Sequence, residues 1–273
     1  MTTLSSSRPR RFDGRHALAT LAAWPMAVTR VNHIDLVERD GIRHVRVVRH
    51  RTADAPMRIA NAIMRRRSVP VQMLELEAWA SREAEMAQLS GGSARVCGRA
   101  IERPWSRGTT LGLMLQQPSS VLASKLAACE AASRALRRLH TGDRGRTSHG
   151  DATVWNVAYD EATDRASWFD FDLAHDDSSP PVARQADDLR ALAYSAAVVV
   201  DDAHLFEVLQ CVAEGYGDRM TWDELARLNR EDLSGDPVHL AQSWGCRRRR
   251  ERCHDMVATL DTLILVHSGS PVR

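Results

Sequence analysis

The sequence predicts an α+β protein of two unequal parts, a small, mostly antiparallel sheet with one principal helix followed by a larger helical part. Three observations predict it. Asp40-Gly41 stands between two β-branched runs, Ile34 to Val37 and His44 to Val48, which is the signature of a two-residue hairpin turn. One long helical pattern and otherwise short strand-like runs occupy the chain up to Gln117. Beyond about Ala183 the apolar spacing is helical throughout. At 273 residues and 44% hydrophobic content, the chain is long enough to bury a substantial core.

Taken in order, residues 1–14 are polar, rich in Ser and Arg, and read as a flexible tail ahead of a short helix from Arg15. The first part spans residues 15–117 and the helical part 118–273. After the hairpin, Asp54-Ala55-Pro56 offers an N-cap and a proline for the first turn of a helix. A second helix is expected from Pro70 through Leu74, Ala78, Met86 and Leu89, stopping at Gly91-Gly92. Ala94 to Glu102 and Thr109 to Gln116 read as two more strands. Pro118-Ser119-Ser120 then precedes a helix whose apolar face is Leu122, Leu126, Cys129, Leu136 and Leu139.

Charge and cysteine content exclude several classes. The net charge of +2 creates no global field for nucleic acid or an anionic membrane. Arg65-Arg66-Arg67 and Arg247 to Arg250 are short runs without interleaved aromatics, so solvated helix faces are expected and nucleic acid is not an expected partner. Five cysteines at irregular spacings form no zinc pattern and fit a reducing compartment. The apolar run Ala17 to Val28 is interrupted by Trp24 and Pro25 without a clear cleavage site, and no stretch suffices for a membrane span. A cytoplasmic protein is therefore expected. Trp105, Trp222 and Trp244 are expected to pack cores, and Asp176-Asp177 to form a loop.

The segment from Ser148 to His175 carries the chemistry. Val157 to Tyr159 and Ala166 to Phe169 can pair as a hairpin centred near Thr163. That register places Asn156 opposite Asp170, with Cα atoms about 4.5–5.5 Å apart. Asp151 arrives in the loop immediately before. Hard oxygen donors gathered in this way suit Mg²⁺, which takes one or two protein ligands and fills its shell with water and phosphate oxygens. A further carboxylate nearby can accept the proton of a hydroxyl nucleophile during phosphoryl transfer.

His149-Gly150-Asp151 with Asn156 resembles the H-G-D-x-x-x-x-N catalytic loop of the protein-kinase-like phosphotransferases, in the branch of aminoglycoside phosphotransferases, choline kinases and lipopolysaccharide sugar kinases. Asp170-Phe171-Asp172 is similar to the family's metal motif, and Leu136 to His140 to the helix end before the loop. The resemblance covers roughly Val28 to Val212. It implies a two-lobed fold and an ATP- and Mg²⁺-dependent kinase acting on a small-molecule, glycan or protein hydroxyl. It also implies Asp151 as catalytic base, Asn156 and Asp170 as metal ligands, and His149 and Asp188 as structural support of the loop.

Two departures stand out. Arg49 occupies the place of the family's phosphate-binding lysine, and the only lysine, Lys125, falls on a later helix. Arg49 is read either as a cofactor-binding residue paired with Glu83 or as one basic residue on a solvated strand face, with Glu83 on an exposed helix face. No glycine-rich loop precedes Asp40. Together these leave a second class open, a catalytically weak or inactive pseudokinase with a regulatory or partner-binding role.

Overall fold

The computed structural model describes residues 32–50, 52–66, 69–90, 92–105, 108–142, 147–231 and 249–267. The tail 1–14, the helix expected from Arg15, the run Ala17 to Val28, Trp244 and Arg247-Arg248 lie outside the described residues. The architecture is α+β, with an antiparallel sheet in the N-terminal region and helices in the C-terminal part, consistent with the two-lobed arrangement expected.

Strands β1 (Asn32–Arg39) and β2 (Ile42–Arg49) form the expected hairpin, with Arg39 opposite Ile42. Asp40 and Gly41 both take positive φ, +53° and +74°, as a two-residue turn matched to strand twist requires. Helix α1 (Asp54–Arg66) forms where expected, with Asp54 as its first residue rather than its N-cap.

The next segment differs from expectation. Val71–Met73 is a strand, β3, and the second helix, α2 (Leu76–Leu89), starts only after it. The reason is tertiary: β3 pairs with β9 (Leu173–His175), about a hundred residues downstream, which no local pattern announces. The run from Ala94 divides into β4 (Arg95–Cys97) and β5 (Ala100–Pro104), folded at Gly98, which takes φ +61°. The four-stranded sheet has the order β1-β2-β5-β4. Helix α2 lies against it through Val47, Trp79, Ala80 and Ile101.

Thr109 to Gln116 is likewise not one strand. Only β6 (Thr109–Thr110) is extended, and α3 (Leu111–Gln116) follows. Leu111, Met114 and Leu115 are drawn into the large core, and β6 pairs with β7 (Val157–Asp160). These residues, expected in the first part, thus contribute to the core of the second.

The helical part contains α4 (Leu122–Thr141), α5 (Pro181–Val199), a short 3-10 turn (Asp202–His204), α6 (Leu205–Tyr216), α7 (Arg219–Glu231) and α8 (Arg249–His267). Their buried faces share one core, in which Cys129, Leu136 and Leu139 of the anticipated α4 face are buried. Gly215 permits α6 to approach α4 closely, since a Cβ there would lie 2.6 Å from the Glu130 carbonyl oxygen. Trp222 is buried as expected, whereas Trp105 remains exposed. No described helix is long and apolar enough to cross a membrane.

Candidate active site

The loop from Ser148 to Asn156 enters the hairpin of β7 and β8 (Arg165–Trp168), in which Asp160 faces Arg165 and Val157 faces Trp168. That register is symmetric about the Ala162-Thr163 bond rather than about Thr163. Asp160 sets it by accepting the Ala162 N–H at 3.1 Å and the Thr163 hydroxyl at 3.0 Å, while Asp164 takes φ +50°. Asn156 consequently faces Phe169, whose N–H donates to the Asn156 carbonyl at 3.0 Å, and not Asp170 as expected. Asp170 falls just beyond the paired stretch, where φ is +67° and the strand has ended.

Gly150 makes the tight bend of the loop at φ +92°, and a Cβ there would lie 2.5 Å from the Leu173 carbonyl oxygen. Asp188, buried on α5, closes this bend from below. Its carboxylate accepts the backbone N–H of His149, the N–H of Gly150 at 2.8 Å and the Nε2–H of His140 at 3.0 Å. Burial alone would raise its pKa, but His175 and the hydrogen bond from His140 outweigh it and hold Asp188 below the usual carboxylate range. His140 is fixed in turn by the Tyr216 hydroxyl, 2.7 Å from its Nδ1.

His149 is fully buried, with its ring against Trp168 and Phe171. Its Nε2–H donates to the Phe169 carbonyl at 3.1 Å, and Nδ1 accepts the Asp151 N–H at 3.3 Å. Burial lowers its pKa to about 4, so the ring is neutral and its tautomer follows from those two partners. His149 therefore couples the backbone of Asp151 to the residue before Asp170.

Asn156 is buried, and its amide donates to both the carbonyl and the Oδ2 of Asp151, each at 2.8 Å. Asp151 and Asn156 are thus brought together. Asp170 instead joins Asp172 and Glu83, with one carboxylate oxygen of each within 4.8 Å of the others. Asp170 makes no side-chain hydrogen bond among the described residues, and burial pushes its pKa up against the pull of Arg103 and Arg49. Glu83 is raised by burial as well, although it accepts the Phe171 N–H at 2.9 Å and lies 3.8 Å from Arg103. An all-oxygen donor set of this charge fits a hard divalent cation such as Mg²⁺.

Neither Arg49 nor Glu83 is solvated, since Arg49 is 1% and Glu83 4% exposed. The direct Arg49–Glu83 ion pair does not form. Arg49 donates from Nη2 to Asp172 at 2.6 Å, from Nη1 to the Leu74 carbonyl at 2.5 Å and from Nε to Asn32 at 3.2 Å. Its guanidinium also stacks 4.3 Å from the Trp79 ring centroid. Lys125, buried on α4, donates to the Leu115 carbonyl at 3.0 Å and does not replace Arg49.

Several contributors escaped the sequence reading. Asp172 was visible as a second acid in Asp170-Phe171-Asp172, but its pairing across 123 residues with Arg49 had no local signal. Asn32 donates to Asp172 at 2.7 Å, and Arg103 reaches Glu83 from β5. Arg82 donates to the Ser148 carbonyl at 2.5 Å, tying α2 to the loop from Ser148 to Asn156. Arg65, Arg66, Asp176 and Asp177 are exposed, as expected.

No family model matches the chain, and no curated protein matches it. Among solved structures, a crystal structure from Ralstonia eutropha JMP134 named as a "putative aminoglycoside phosphotransferase" aligns with 11% sequence identity and a TM-score of 0.39. The alignment covers 92% of this chain and 99% of that one.

Proposed function

We propose that the chain is an ATP-dependent phosphotransferase of the kinase-like fold, moving the γ-phosphoryl group to a hydroxyl of a small-molecule, glycan or protein acceptor. The observation that supports this most is the capture of two successive loop N–H groups, of His149 and Gly150, by the buried Asp188 carboxylate. That bond set holds the next residue, Asp151, in one position while Asn156 clamps its carboxylate.

In this reading Asp151 accepts the proton of the acceptor hydroxyl as the new oxygen–phosphorus bond forms and the bond to the β-phosphate oxygen breaks, releasing ADP. Asp170 and Asn156 would hold Mg²⁺, which when bound neutralises charge on the phosphate oxygens. Asn156 would have to turn its carbonyl oxygen to the ion while its amide stays on Asp151. Glu83 and Arg49 line the nucleotide side, Arg49 acting through Asp172 unless nucleotide displaces that pair. The division into a lobe of residues 15–117 and one of 118–273, and a cytoplasmic location, belong to the same proposal.

The engagement of Arg49 favours a second reading. A guanidinium with no exposed surface and three partners is built as an internal connector, which suits a pseudokinase whose motif survives as scaffold. ATP-dependent phosphorylation of any member of a panel of amine, sugar and peptide alcohols, lost in Asp151→Asn, would decide for the enzyme. Binding of ATP without transfer to any of them, or to water, would decide for the scaffold.

A further inference from the structure

Behind the catalytic loop, on the side of α2 away from the sheet, lies a cavity of about 370 Å³ bounded by α2, β3, β9 and the first turn of α5. Its walls include Arg82, His175 and Arg184. Arg184 and His175 are buried, and Arg82 is half-buried. Two arginines gathered in such a place are costly, because each guanidinium surrenders part of its hydration.

The carboxylates nearest the cavity do not remove that cost. Glu85 and Asp177 are exposed at its rim, and Asp177, fully solvated, meets Arg184 through one Nη1 contact of 3.2 Å. An ion pair with so exposed a partner contributes little. The Nε groups of both Arg82 and Arg184 are buried and have no hydrogen-bond partner among the described residues. Arg82 spends Nη2 on the Ser148 carbonyl, and burial lowers its pKa despite the charge of Asp188. Of the deeper carboxylates, Asp187 is already engaged by Arg190 at 2.6 Å and by His175 at 3.0 Å, and Asp188 by the loop N–H groups and His140. Gln72 and Ser81 add neutral donors to the wall.

We propose that this cavity binds a small phosphate-bearing molecule, held by Arg184 and Arg82 and separate from the site at Asp151 and Asp170. A tetrahedral oxyanion supplies several acceptors to two guanidinium forks at once, and the volume accommodates a molecule larger than phosphate itself. Arg184 lies in the first turn of α5, where the helix adds partial positive charge. Because Arg82 also holds the carbonyl just before the catalytic loop and neighbours Glu83, an occupied cavity would set the position of both. The proposal concerns binding and stands whether or not the chain transfers phosphate.

The test is equilibrium dialysis of radiolabelled inorganic phosphate against the full chain at constant ionic strength. Wild type is compared with Arg184→Gln, with Ser81→Asp, which places a negative charge on an exposed part of the wall, and with Arg134→Gln, which removes a surface guanidinium far from the cavity. Saturable binding weakened at least about tenfold in Arg184→Gln and Ser81→Asp, but kept in Arg134→Gln, is the expected result. If Arg184→Gln does not fold, Ser81→Asp decides. Absence of saturable binding to wild type overturns the proposal. So does binding that survives Ser81→Asp, since the anion would then lie outside this cavity.

Discussion

Arg49 Nη2 and Asp172 Oδ1 lie 2.6 Å apart, joining the last residue of β2 to the third residue of the Asp170-Phe171-Asp172 motif. The pair places a buried cation against three carboxylates, Glu83, Asp170 and Asp172, the first two of which also feel Arg103. Burial pushes Asp172 upward, with Asp170 adding to it, and only Arg49 and the hydrogen bond from Asn32 oppose this. Arg49→Met keeps much of the stacking on Trp79 and removes the charge. It should destabilise the fold by about 3–5 kcal/mol, the cost of leaving buried charge uncompensated. Urea denaturation at neutral pH measures this, and a loss below about 1 kcal/mol would show the carboxylates to be neutral without Arg49.

Gly150→Ala should be severe for a different reason. The new Cβ would lie 2.5 Å from the Leu173 carbonyl oxygen, backbone against side chain, at a φ of +92°. Neither neighbour can move without disturbing β9 or the Asp188 bonds. A loss of at least about 2 kcal/mol is expected. Thermal unfolding should show it, whereas Gly41→Ala, with open space around its Cβ position, should cost less because only the turn strain remains.

The neutral state of His149 has a consequence for pH. Its pKa in the fold is about 4 against 6.5 for an unperturbed histidine, so the unfolded chain takes up this proton first. The sign follows: as pH falls from about 6.5 to about 4, His149 subtracts stability, by roughly 3 kcal/mol once both states are past their pKa values. Nitrogen-15 NMR of the ring should find the neutral Nε2–H form at pH 5. An imidazolium at that pH would mean that the Phe169 carbonyl and Asp151 N–H contacts are not the ones made.

What could be read from the sequence was what local chemistry dictates. The Asp40-Gly41 hairpin needs only its two turn residues, and the identity of the loop residues His149, Asp151 and Asn156 is carried by their spacing. Asp188 was legible as a brace only through the resemblance to the kinase-like phosphotransferases. Pairings between distant segments were not. The three residues of β3 have no periodicity long enough to register, and the partner that makes them a strand is β9. The one-residue shift at Asn156 came from the side chain of Asp160 bonding within its own turn, which spacing alone does not weigh. Arg49 was visible as a missing lysine, but its burial and its attachment to Asp172 depend on Trp79, Leu74 and Asn32, which arrive from three other segments.

Asp170 offers the cleanest separation of chemistry from folding. It makes no side-chain hydrogen bond among the described residues and lies among like charges, so Asp170→Asn should fold with wild-type stability or slightly more. Circular dichroism and urea denaturation of this variant check that expectation, and a loss of more than about 2 kcal/mol would contradict it.

The proposal that residues 148–172 form a magnesium-dependent nucleotide site is decided by calorimetric titration of ATP into wild type and Asp170→Asn, with and without Mg²⁺. Binding should require the metal in wild type and weaken at least about a hundredfold in a folded Asp170→Asn. Metal-dependent binding of equal strength in both proteins, or none in the wild type, would contradict it.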